Sequence, residues 1–296
     1  MSMHDCVILV SDWHLLPEHT AKTDAFVRFV DEVCAGAARV FVLGDLFNAW
    51  VGPRHVVLPG HAAALEALKR LAESGTKVVV LRGNRDFLLD RRTLRPYGLE
   101  LSPGAWRGEI GGKKLMLTHG DEMTEDDRLH KFGRVVMGNF PVGTLVKLTP
   151  LCVSWMMAAW CRWVSTRRRT RRKRKKLQPA ERRVREEFDA GADIVVIGHW
   201  HAPKYETDAL GLAGKTFVML GECTESGGVY AELSDGTIKL VRITGEAWSE
   251  EMCEEEKCCQ KPEELKGKPE ECSAEQIKKC HGDEKDHPCV KEPEEE

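Results

Sequence analysis

The chain has 296 residues, 42% of them hydrophobic, enough material for one α/β domain of about 200 residues with appended parts. No internal repeat runs through it, which excludes a solenoid, and a formal charge of only −3 conceals two opposite blocks late in the chain. Met1 to Asp5 lead straight into the first apolar run with no basic segment before it, so no secretory leader is predicted and a cytoplasmic location is expected.

The predicted elements follow one cadence. Cys6-Val7-Ile8-Leu9-Val10-Ser11 is a short apolar run that predicts a strand ending at Asp12-Trp13-His14. Residues 39–43 predict a second strand ending at Gly44-Asp45, and residues 77–81 a third ending at Gly83-Asn84-Arg85-Asp86. Residues 114–117 lead to Thr118-His119-Gly120-Asp121, and residues 194–197 to Gly198-His199-Trp200-His201. In open α/β sheets the carboxyl ends of the strands form the crevice where ligands bind. Five strands would therefore deliver Asp12, His14, Asp45, Asn84, His119, His199 and His201 to one rim.

Those residue types name a chemistry. Two Asp, one Asn and four His can surround two divalent cations with one carboxylate bridging, and such a pair activates water and steadies charge during in-line displacement at phosphorus. Octahedral sites of mixed carboxylate, amide and imidazole suit Mn2+. Taken alone, Asp12 is equally a turn residue and His14 a surface one. The recurrence of strand and ligand at five places carries the metal reading.

The motifs Asp12-x-His14, Gly44-Asp45, Gly83-Asn84-x-Asp86, His119-Gly120 and Gly198-His199-x-His201 resemble, in that order, those of the calcineurin-like metallophosphoesterases. The chain departs at Arg85, where most members carry His. With Gly44-Asp45-Leu46-Phe47-Asn48-Ala49-Trp50, the run Gly83-Asn84-Arg85-Asp86-Phe87-Leu88 is similar to the UDP-2,3-diacylglucosamine diphosphatases of lipid A synthesis, over residues 5–140 and 190–235.

That resemblance implies a layered αββα core over residues 1–139 and 178–245. It also implies one metal on Asp12, His14, Asp45 and His201, and a second on Asn84, His119 and His199, with Asp45 shared. Substrate would be met by Asn84, Arg85, Asp127 and His199, of which Asn84 and Arg85 would take part in catalysis. By pattern alone Asp127 is equally the acidic first turn of a following helix. The implied substrate is a nucleotide-activated glycolipid, split to UMP and a diacylglucosamine phosphate.

Arg85 is chemically consistent with that substrate. Arg, with a pKa above about 12, cannot hand a proton to an alkoxide, but it clamps phosphate oxygens. Cleaving a diphosphate expels a phosphate monoester, which needs a cation more than a proton. The plain alternative is a surface arginine pairing with Asp86 or Asp90, and the rival enzyme class is a soluble phosphodiesterase or nuclease.

Residues 140–177 form the first charged block. Val142 to Val164 is strongly apolar, with Trp155, Trp160 and Trp163 beside Met156 and Met157, and Arg167 to Lys176 then holds nine basic residues in ten. Lys147, Pro150 and Arg162 interrupt the apolar part, so a membrane span is not expected. The expectation is a helical lid with a pocket for acyl chains, its arginines against an anionic membrane surface on the cytoplasmic face of the inner membrane. Nucleic acid is the lesser alternative partner for the basic run.

Residues 246–296 form the second block, with 18 acidic against 8 basic side chains. Almost without large apolar residues, they are expected to be disordered. Six of the eleven cysteines lie there, with no Cys-x-x-Cys spacing.

Overall fold

The computed structural model describes residues 6–123, 149–150, 153, 156, 179–244 and 249–252. Its first sheet has seven strands in the order β12-β11-β10-β1-β2-β3-β4. These are β1 (Val7–Val10), β2 (Arg39–Val42), β3 (Lys77–Leu81), β4 (Glu100–Ser102), β10 (Gly227–Ser234), β11 (Thr237–Thr244) and β12 (Ser249–Met252). The second sheet runs β5-β6-β7-β9-β8, from β5 (Trp106–Ile110), β6 (Lys113–Thr118), β7 (Ile194–Ile197), β8 (Lys204–Thr207) and β9 (Thr216–Met219).

Parallel strands make up one half of the first sheet, β1 to β4, and the middle of the second. β1, β2 and β3 pair in parallel with Val10 level with Val42 and Val42 level with Val80, while β10 and β11 continue the sheet antiparallel. β6, β7 and β9 are likewise parallel, with Thr118 level with Ile197 and Ile197 level with Met219. β1 and β7 are buried at every position, as strands covered on both faces must be, and this is why they read as unbroken apolar runs.

Period-two alternation assigns each face to a layer. Ile8, Val10, Val40, Val42, Val78 and Val80 point into one core with Phe26 and Phe29 from the first helical segment and Ala64, Leu65, Leu68 and Leu71 from the second. The first segment is α1 (Ala21–Arg28), opened by a Thr20 N–H bond to Thr23 Oγ1 at 3.2 Å and prolonged by a π-helical turn at Phe29–Val33. The second is α2 (Pro59–Glu73), whose proline sits in the first turn, where its missing N–H costs nothing.

On the second sheet Met116, Val195, Ile197, Phe217 and Met219 pack against Val184 and Phe188. Those two residues belong to α4 (Glu181–Asp189), whereas α3 (Arg91–Leu94) is a single turn capped by Asp90. The remaining strand faces, with Leu9, Phe41, Val79, Leu115, Leu117 and Val196, are also buried. Phe41 of β2 meets Trp106 of β5 at 4.8 Å between ring centroids. Helices therefore cover the outer faces of two stacked sheets, the αββα layering expected.

The five strands read from the sequence are all present, divided three to one sheet and two to the other. The lid (140–177) and Asp127 lie outside the described residues apart from scattered positions, as do residues 253–296. Ser249–Met252, at the start of the acidic stretch, forms a short strand. Among the described residues no helix is long and apolar enough to cross a membrane.

Candidate metal centre

Strand register gathers the site. Because β1, β2 and β3 end at one level, Asp12, Asp45 and Asn84 emerge together, and because β6, β7 and β9 end level, so do His119, His199 and Glu222. The two rims are tied across the sandwich by the His199 N–H, which donates to Asp12 Oδ2 at 2.8 Å. Ser11 Oγ donates to the same oxygen at 2.7 Å, so one side of the Asp12 carboxylate is fully used in holding it.

The close approach of the ligand loops leaves no room for a side chain at Gly198 or Gly83. A Cβ on Gly198 would collide with Ser11 Oγ and Asp12 Oδ2, and one on Gly83 with the Asp45 carboxylate and backbone nitrogen. Only glycine lets these loops come so close.

The other side of Asp12 faces inward. Its Oδ1 lies 3.4 Å from His201 Nε2 and 3.6 Å from His14 Nε2, and those two ring nitrogens are 3.2 Å apart. Asp45 Oδ2 sits between the halves, 3.7 Å from His14 Nδ1 and 3.6 Å from His119 Nε2. His199 Nδ1 completes the cluster at 3.3 Å from His119 Nε2 and 3.3 Å from Asn84 Nδ2. All seven residues read from the sequence thus converge.

Two overlapping sets satisfy the reach of a cation: Asp12, His14 and His201, and Asp12, Asp45 and His119. Asp12 is common to both by distance. Asp45 Oδ2 lies between His14 and His119.

The donor atoms fit divalent cations. Asp12 Oδ1, His14 Nδ1 and Asn84 Oδ1 are buried and make no hydrogen bond among the described residues, an arrangement costly for polar atoms unless a ligand takes their lone pairs. Two of the four imidazoles are held neutral, and His119 and His201 are raised by neighbouring carboxylates. Burial, with the Arg85 charge, holds His14 well below its ordinary value, and burial with His119 pushes His199 down to about 3, so both rings are neutral donors. Burial pushes the Asp45 carboxyl up to about 7. It would lower His201, but Asp12 and Glu222 flank that ring and push it up to about 9.

Backbone strain is concentrated here. Asp12 (φ 57°), His14 (48°), Asp45 (51°), His199 (73°) and His201 (58°) are five of the eight non-glycine residues with positive φ among the described residues. Asp and His tolerate the left-handed region better than most, and such clustering marks functional sites.

Arg85 stands at the edge of the cluster. Its N–H donates to Asp45 Oδ1 at 2.8 Å, its Nη1 donates to Asn48 Oδ1 at 2.6 Å, and its Nε lies 3.6 Å from Asp45 Oδ2. It pairs with neither Asp86 nor Asp90, which corrects the surface-pair alternative. Asp86 is fully buried and accepts N–H bonds from Gly83 at 2.7 Å and Leu46 at 2.9 Å, tying the second and third ligand loops together. Asp90 accepts from Thr93 N at 2.9 Å as the cap of α3.

Glu222 went unread in the sequence. It follows Gly221 at the end of β9, the same strand, glycine and ligand cadence as the others, but Thr216–Met219 was not recognised as a strand. Asn48 was seen only as part of a motif, and nothing in it announced a bond to Arg85.

Two β-sheets stacked so that their strand ends converge seven Asp, Asn and His side chains define a metal-dependent hydrolase centre. The family model described as Calcineurin-like phosphoesterase matches residues 7–203, and the chain belongs to that family. It is 32% identical over 230 residues to a UDP-2,3-diacylglucosamine hydrolase of Stenotrophomonas maltophilia (strain K279a), covering 75% of this chain and 92% of the relative. An enzyme of the same name from Neisseria meningitidis (strain FAM18) is 32% identical over 201 residues, covering 65% and 80%. One from Photorhabdus laumondii is 30% identical over 199 residues, covering 67% and 82%.

Proposed function

We propose that the chain is a two-metal hydrolase that cleaves the diphosphate of a nucleotide-activated glycolipid, UDP-2,3-diacylglucosamine, to UMP and 2,3-diacylglucosamine 1-phosphate. Asp12, His14, Asp45 and His201 would hold one cation and Asp45, Asn84, His119 and His199 the other. When bound, two such ions, Mn2+ by the donor set, supply Lewis acidity and an activated water.

The observation that carries the diphosphate is Arg85. A permanently charged guanidinium, fixed to Asn48 and Asp45 beside the cluster, is a preorganised partner for phosphoryl oxygens and a poor proton donor. His119 does not fill the proton-donor role either, since its Nδ1 is 2.9 Å from the Leu43 carbonyl oxygen, which fixes that nitrogen as the donor and turns Nε2 toward Asp45. Neither Arg85 nor His119 being placed to protonate a leaving group, the centre suits one that is already a stable phosphate monoester. Asn84 would serve both a cation, through Oδ1, and the substrate; His199 and Asp127 would add substrate contacts. Similarity to the hydrolases named above supports the same reading.

Residues 140–177 would shelter the acyl chains and set Arg167–Lys176 against anionic lipid, placing the enzyme peripherally on the cytoplasmic face of the inner membrane. Sedimentation with liposomes then requires anionic lipid and weakens with salt; binding indifferent to lipid charge would sink the electrostatic part.

The decisive assay incubates the purified chain with Mn2+ and UDP-2,3-diacylglucosamine in detergent, beside an unacylated UDP-sugar and single-stranded DNA. UMP release from the lipid substrate is expected to dominate. Faster cleavage of DNA, or indifference to the acyl chains, would overturn the proposal.

A further inference from the structure

Glu222 belongs to none of the motifs, yet its carboxylate backs one half of the centre. Oε2 lies 2.8 Å from His201 Nδ1, and Oε1 lies 3.6 Å from Nζ of Lys22 in the first turn of α1. The opposite ring nitrogen, His201 Nε2, is the one that faces Asp12 Oδ1 at 3.4 Å. A carboxylate that takes the outer N–H of an imidazole fixes the ring's orientation and tautomer and makes the inner nitrogen a stronger donor.

The other half is built differently. His119 directs its Nδ1 to a neutral acceptor, the Leu43 carbonyl, at 2.9 Å. One ring of the centre is therefore backed by an anion and its counterpart by an uncharged dipole.

We propose that Glu222 is a positioning residue for His201, that Lys22 holds Glu222 in place, and that this anionic backing makes the Asp12–His14–His201 half the tighter of two unequal cation sites. The inference rests on the two-metal reading above and is independent of the substrate.

The test titrates the full chain, stripped of metal by a chelator, with Mn2+ alone, counting free Mn2+ by electron paramagnetic resonance. Wild type is expected to fill two sites of different affinity. Glu222→Ala should weaken the tighter site about 10- to 100-fold, the usual effect of losing such an outer partner, and leave the weaker site unchanged. Glu222→Gln, nearly the same shape and still able to accept the Nδ1 proton through its amide oxygen, should recover part of the loss, and Lys22→Ala should lose less than Glu222→Ala. Thermal unfolding of the metal-free variants should match wild type.

Two wild-type affinities left intact by Glu222→Ala would overturn the positioning role while leaving the two-metal reading standing. The role would also be overturned if both sites weakened together, with Glu222→Gln no better than Glu222→Ala. Wild type that takes up no Mn2+ would overturn the two-metal reading itself, and this inference with it.

Discussion

Asp45 is the residue on which most depends. Its Oδ2 lies between His14 and His119, so Asp45→Ala should reduce bound metal by more than one equivalent and abolish turnover; a variant keeping two ions and near-normal activity would refute the bridge. Protonation gives a second handle. In the metal-free protein Asp45 titrates near 7 and His201 near 9, both raised, so below pH 7 each holds a proton that a cation must displace. Burial would lower His119, but the carboxylates around it, Asp45 foremost, raise that ring as well. Mn2+ uptake should then release more than two protons at pH 6 and progressively fewer as pH rises through 7 and 9, with affinity increasing in the same direction, measurable by calorimetry in buffers of different ionisation enthalpy. Arg85 makes the contrasting case, a residue proposed to clamp phosphate rather than hold a cation. Arg85→Ala should bind metal normally and lose about 10²-fold or more in diphosphate cleavage, as the removal of one preorganised donor does elsewhere. Equal activity of the two proteins would exclude the clamp.

At the level of elements, the loops after β1, β2, β3, β6 and β7 act together because buried groups lash them to one another. Asp86 is the clearest lashing: it is buried, and its carboxylate receives N–H bonds from Gly83 and Leu46. Asp86→Ala should leave those donors unpaired and cost about 3 kcal/mol or more, read as a lower urea midpoint, while Asp86→Asn should retain part of the stability. Much of this level was legible from residue order. Strands buried on both faces, such as Val7–Val10 and Ile194–Ile197, announce themselves as apolar runs, and the ligands follow at their ends. Strands with a half-exposed face do not: Trp106–Ile110, with intermediate and exposed positions alternating around two polar residues and a glycine, carries little signal. Glu222 was missed although its strand Thr216–Met219 is as long as Val7–Val10 and leads through Leu220-Gly221 in the same cadence. The division of five strands between two sheets depends on long-range pairing that no local pattern encodes, and the bond from Arg85 to Asn48 spans 37 residues.

For the molecule as a whole, every ligand candidate among the described residues and every proposed contact precedes β10. Truncation after Met252, which preserves the short edge strand, should leave hydrolysis in detergent unchanged. Loss of metal or of detergent-phase activity would make residues 253–296 part of the working enzyme. The same truncation removes a net negative charge, so binding to anionic liposomes at low salt should tighten.

The left-handed backbone at Asp12, His14, Asp45, His199 and His201 has a further bearing, on ionic radius. Loops bent in advance and locked by the Ser11, Asp86 and Leu43 bonds cannot easily widen around their guest. Ca2+ forms bonds of about 2.3–2.6 Å in flexible cages made of oxygen, whereas smaller ions accept shorter distances and, for the first-row metals, imidazole nitrogen. Calcium should therefore compete poorly for this centre even in large excess, and the size filter would be a property of the strained turns as much as of the side chains they carry.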